Sequence, residues 1–132
     1  MKTYTSNTQI FPIAGSNVFN SKVNVEQLFE MAIDFANNGM KDKAIDTARE
    51  VLIFAKQSNN YTAVYIHSFL ASMMLEKMQC THARIHCYNA LNRLDKNHFD
   101  YKTDKQYLES LLVYVEKAET KVGQLEFEAL AA

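Results

Sequence analysis

The sequence predicts an all-helical protein of two helical hairpins followed by a C-terminal helix. Three observations carry that prediction. From Val23 to Val122 there is no proline and one glycine, Gly39. The same stretch is rich in Ala, Leu, Met, Glu and Lys, residues that lose little on entering a helix. Apolar residues recur in it at three- and four-residue spacing, the period of one helix face.

Composition bounds the rest. A chain of 132 residues suits one domain with a modest core, and 48 % hydrophobic with 22 % charged residues is ordinary for a soluble protein. Fourteen basic residues meet 15 acidic ones, so no charge excess draws the chain to nucleic acid or an anionic membrane. Cys80 and Cys87 are too few for a disulfide framework and point to a reducing compartment. No run reaches the roughly 18 apolar residues of a membrane helix. Near the start, the apolar stretch from Ile10 is too short for a secretory signal. A soluble, cytoplasmic protein is expected.

The elements follow in order. Residues 1–22 hold Thr, Ser and Asn in excess, the only proline (Pro12) and Gly15, which predicts extended chain or a disordered tail. Ile10, Phe11 and Ile13 around Pro12 also suit an extended docking peptide. The first helix begins near Asn24, with Gln27 at capping-box spacing. Its apolar stripe is Leu28, Met31, Ala32, Phe35 and Ala36, and Gly39 suits the left-handed residue that closes it.

A second helix spans about Lys41 to Gln57, presenting Ala44, Ile45, Ala48, Val51, Leu52 and Ala55 on one face. Ser58-Asn59-Asn60 makes the next break. The third covers about Tyr61 to Lys77, and the fourth about Thr81 to Asp95, burying Ala83, Cys87, Ala90, Leu91 and Leu94. A fifth starts at Thr103, with Gln106 at capping-box spacing and Tyr107, Leu108, Leu111, Leu112, Val115 and Ala118 on its apolar face. Gly123 is placed to end it, leaving 124–132 as a tail. The helical domain is then 23–123.

The chain matches itself at an offset of 39 residues: Ala32 with Ala71, Ala44 with Ala83, Met31 with Leu70, Phe35 with Met74, Leu52 with Leu91. Such a period is one helix-turn-helix unit plus connector. The small residues let two backbones approach while bulky neighbours fill the grooves beside them. The first unit, LFEMAIDFANNGMKDKAIDTAREVL, resembles the tetratricopeptide repeat family through Leu28, Met31, Ala32, Phe35, Gly39, Ala44, Ile45, Val51 and Leu52. The second, HSFLASMMLEKMQCTHARIHCYNAL, is similar through Leu70, Ala71, Met74, Ala83, Ala90 and Leu91.

The second unit departs from the pattern at His67, where a large apolar residue is usual, and at Met78, where glycine is. Both units carry a small residue, Ala48 or Cys87, where an aromatic is common, and the offset exceeds the family's usual repeat of about 34 residues. The resemblance covers residues 25–95. It implies an alpha-alpha superhelix of two hairpins, which the C-terminal helix caps.

No glycine-rich phosphate loop, GxSxG elbow or acid/base carboxylate pair is present, so catalytic residues, metal ligands and cofactors are all expected to be absent. His82 and His86 share a helix face at i, i+4, yet no second pair completes a metal tetrahedron. Cys87 points toward the core.

In tetratricopeptide arrays the first helix of each hairpin lines the concave surface. The resemblance therefore implies a lining of Glu26, Phe29, Ile33 and Asn37 from the first unit and Tyr65, Ser68, Ser72 and Glu76 from the second. Phe29 and Ile33 make that groove apolar, unlike the Lys, Arg and Asn of family members that clamp a peptide carboxylate. A non-enzymatic adaptor, scaffold or small chaperone binding a protein or peptide is expected. Self-association as a homodimer, or cover by either chain end, fills the same groove. The alternative is a regulator that binds a small ligand or another regulator between hairpin and capping helix. The C-terminal FEALAA resembles the Leu-Ala-Ala ending of the tag that marks stalled bacterial translation products; an alanine-rich helix end explains it equally.

Overall fold

A computed structural model describes residues 24–131. Among them stand five helices and no strand: α1 (Val25–Asn37), α2 (Lys41–Gln57), α3 (Thr62–Glu76), α4 (Cys80–Asn92) and α5 (Tyr101–Ala131). The all-α class is as the sequence predicts. The N-terminal segment and its docking-peptide reading lie outside the described residues. The chain divides into two compact units, with the boundary between Phe54 and Ala55 inside α2.

In the first unit α1 starts where the cap predicts, with the Gln27 N–H donating to Asn24 Oδ1 at 2.9 Å. Val25, Leu28, Met31, Ala32 and Phe35 form its buried stripe. The helix closes at Gly39, whose φ of +79° is free of steric cost without a Cβ. α2 then buries Ala44, Ile45, Ala48 and Val51. Its Lys43 Nζ sits 4.7 Å from the Phe35 ring centroid, tying the two helices across the turn.

The turn between α3 and α4 repeats this one bond for bond. Met40 and Gln79 donate to Phe35 and Met74 carbonyls at 2.8 and 2.9 Å, the long bond of a Schellman cap. Ala44 and Ala83 donate to Met40 and Gln79 carbonyls, both at 3.0 Å. Met78 occupies the glycine's place with a φ of +59°. Burial repeats as well: Ala32 and Ala71, Ala44 and Ala83, and Ala48 and Cys87 are all fully buried. His67 is buried like Leu28, its counterpart.

In the second unit α3 packs along α4, and α5 packs on α4 and touches α3. Val64, Ala90 and Leu108, one from each helix, meet at its centre, with Tyr61, Leu91 and Leu94 around them. Two boundaries of α5 differ from expectation. It begins at Tyr101, because the Asp104 N–H already donates to the Asp100 carbonyl at 2.9 Å and Thr103 is no cap. It also runs through Gly123 to Ala131, 31 residues in all. The good helix formers after Gly123 carry the helix past one unfavourable residue. α4 ends at Asn92, short of Asp95.

Candidate partner-binding face

In the second unit, aromatic and acidic side chains gather where α3 meets the start of α5. The Thr62 N–H donates to Asn60 Oδ1 at 2.8 Å, which opens α3 and sets Tyr61 and Tyr65 one turn apart on one face. Their rings meet edge to face at 5.5 Å. Tyr61 Oη donates to Asp104 Oδ2 at 3.0 Å, and Tyr65 Oη to Asp100 Oδ2 at 3.1 Å. The Tyr61 ring also stacks on His98, centroids 3.7 Å apart and 6° from parallel. His98 Nδ1 in turn accepts from the Asp100 N–H at 3.1 Å.

Burial, followed by the bonded aspartate, pushes both phenols well above the usual tyrosine range. They therefore remain protonated donors, and two i, i+4 pairs clasp α3 to α5. His98, Asp100 and Asp104 gather ligand atoms within 4.8 Å of one another. Each of these side chains already accepts a hydrogen bond, from Tyr61, Tyr65 or the Asp100 N–H, so the donor set is that of a clasp.

Further along, Ser72 Oγ and Tyr107 Oη lie 3.0 Å apart, again joining α3 to α5. Ser68 Oγ turns back to the Val64 carbonyl at 2.9 Å. Tyr107 and Tyr114, seven residues apart on one α5 face, are 51 % and 64 % exposed.

The eight residues expected to line a groove thus fall in two sets. Glu26 and Asn37 are exposed on α1, with Phe29 and Ile33 half-buried between them in the first unit. Tyr65, Ser68 and Ser72 are half-buried on α3, and Glu76 is exposed. The structure brings Tyr65 together with Asp100, just ahead of α5, and Ser72 together with Tyr107 within it. Sequence reasoning misses both of these partners, and Asp104 with them. The available signal is that an i, i+4 tyrosine pair has an i, i+4 aspartate pair to match it.

Behind this face α3 and α4 bring two histidines together, His67 buried and His86 half-buried. His67 Nδ1 and His86 Nδ1 are 3.0 Å apart, so one ring holds the proton that the other accepts. His67 is 1 % exposed, and its Nε2 has no hydrogen-bond partner. Burial, then the neighbouring His86, lowers its pKa to about 4. His86 is turned to His67, while His82 of the candidate i, i+4 pair is exposed. Cys87 is buried, and burial pushes its thiol up to about 11, which makes it a poor nucleophile. Near the end of α4, Asn60, Tyr61, Asn89, Asn92, Arg93, Asp95 and Lys96 border an open cleft of about 840 Å³.

No protein-family model, curated protein or solved structure matches the chain.

Proposed function

We propose that the chain is a non-enzymatic protein–protein interaction module, docking a peptide or helix on the face shared by α3 and α5. The observation that carries this is the row of exposed tyrosines, Tyr107 and Tyr114, beside Tyr65 and Ser72. Tyrosine offers a large contact area with a polar tip and few rotors to freeze, which is why interfaces favour it. The Tyr–Asp clasp holds that row in place before any partner arrives, which lowers the cost of binding. The half-buried Phe29 and Ile33 of α1 offer a second apolar patch to the same kind of partner.

The matching turns and burial at the 39-residue offset support a tetratricopeptide-like arrangement. Two free, buried cysteines support a reducing, cytoplasmic setting. No helix among the described residues is long and apolar enough to cross a membrane.

The test is site-specific photo-crosslinking in native lysate from positions 107 and 114, with Phe127 as control. Phe127 is 71 % exposed on the other side of α5. One product from both tyrosine positions and none from 127 is the expected result. Crosslinks equal at all three positions sink the proposal. A Phe29→Asp/Ile33→Asp variant that keeps the product would exclude α1 from the docking surface.

A second reading is favoured by the cleft: a regulator that takes up a small ligand at the end of α4. Asn89 and Asn92 offer hydrogen bonds there, and Arg93 and Lys96 outweigh the Asp95 carboxylate between them, which suits a small anionic group. Inorganic phosphate added during NMR should shift the Asn89 and Asn92 side-chain amides; unmoved amides remove this reading.

A further inference from the structure

We propose that the C-terminal half of α5 is a self-association surface, on which a second copy of the chain pairs antiparallel along Ala118, Val122, Leu125 and Ala129. The proposal does not rest on the docking reading above, although Leu125, about three turns on from Tyr114, continues the same side of α5.

Its first support is periodicity. Leu108, Leu111 and Val115 are buried in the second unit and follow one another at three and four residues. The same alternation continues without a break through Ala118, Val122, Leu125 and Ala129. Steps of three and four are the a/d pattern of a helix seam made for another helix. The chain's own body fills the first half of that seam: Leu108 packs with Val64 and Ala90, and Arg84 of α4 reaches Glu119. Beyond that point the stripe emerges. Ala118 and Val122 are half-buried, Leu125 is 54 % exposed, and no described residue after Val115 is buried.

The second support is charge. In an antiparallel pair, Val122 meets Leu125 of the second copy, and Ala118 meets its Ala129. Lys121 and Glu128 flank the seam on one side and then face each other with opposite sign. On the other side Glu119 faces the second copy's Glu126, and Arg84, already paired with Glu119, brings a cation to that edge. A parallel pair would set Lys121 against Glu126 instead, but its partner helix would run into the space that α4 fills. Phe127 lies on the opposite side of α5 and takes no part.

The overlap is about 12 residues per copy, which places the contact at the small end of specific interfaces. The dimer is therefore weak and exchanging. Sedimentation equilibrium of the full chain, taken to upper micromolar concentration, should show a monomer–dimer equilibrium. Leu125→Asp should abolish it while circular dichroism keeps its helical signature. Lys121→Glu turns two attractive pairs repulsive and should weaken association about tenfold. Adding Glu128→Lys should restore it, because only the antiparallel register sets residue 121 against residue 128. A chain that stays monomeric throughout, as cover by its own residues 1–22 would produce, overturns the proposal. So does a dimer indifferent to Leu125→Asp, or a Lys121→Glu loss that Glu128→Lys fails to restore.

Discussion

Met78 stands where the first hairpin has Gly39, and both adopt left-handed backbone, with φ of +59° and +79°. A residue with a Cβ loses roughly 1–2 kcal/mol there, offset in part by the extra freedom glycine has when unfolded. Met78→Gly should therefore stabilise the fold by about 0.5–1 kcal/mol in urea unfolding. Gly39→Ala should destabilise it by about 1 kcal/mol from backbone alone, since nothing lies within 4 Å of the added Cβ. His67 makes a second case at this scale. Its pKa is about 4 in the fold against an ordinary 6.5, so between those values the unfolded chain binds the extra proton. Stability is then full above about pH 6.5 and falls as the pH drops toward 4, by at most about 3 kcal/mol. His67→Leu, which installs the residue the first hairpin has at Leu28, should flatten that dependence in unfolding curves taken across the window.

At the scale of the elements, α5 is where sequence and structure part. Gly123 lies inside an exposed stretch of that helix, and a Cβ added there would meet nothing within 4 Å. Gly123→Ala should raise helicity by circular dichroism and add about 1 kcal/mol to the stability of that segment. A helix that ended at Gly123 would gain nothing from the change. The hairpins are legible because their information is local: Asn24 caps, Gly39 closes, and small residues recur at a fixed offset. A glycine followed by Gln, Leu, Glu and Ala is ambiguous, because the stop signal and the continuing propensity compete within a few residues. The Tyr–Asp clasp is illegible for another reason. Its partners are 43 and 35 residues apart, and each alone reads as an ordinary helix-surface residue. Of the groove that the resemblance implies, Ser72 meets the final helix and Tyr65 meets Asp100 just ahead of it. Naming the residues they touch requires that helix's true start, and there Asp100, a cap-type residue, competes with Thr103 and its capping-box partner Gln106.

Across the whole molecule, stability divides between two units, and the second owes its centre to three side chains from three helices. Leu108 is the only one of them on α5 and is fully buried. Leu108→Ala should cost about 2–5 kcal/mol, a large part of the roughly 5–15 kcal/mol typical of a domain. Hydrogen exchange should show protection lost first in α4 and the first half of α5, with α1 less affected. Equal loss in α1 would mean that the two units unfold as one.

The clasp also decides how this molecule looks in a fluorimeter. The chain has seven tyrosines and no tryptophan, so phenol alone sets its ultraviolet emission. An excited phenol is a far stronger acid than one in the ground state, and Tyr61 and Tyr65 each point their proton at a carboxylate. In the folded chain both rings should surrender that proton during the excited state and stay dark. Unfolding should brighten them, and Asp100→Asn with Asp104→Asn should brighten the folded protein, giving the second unit a built-in optical reporter.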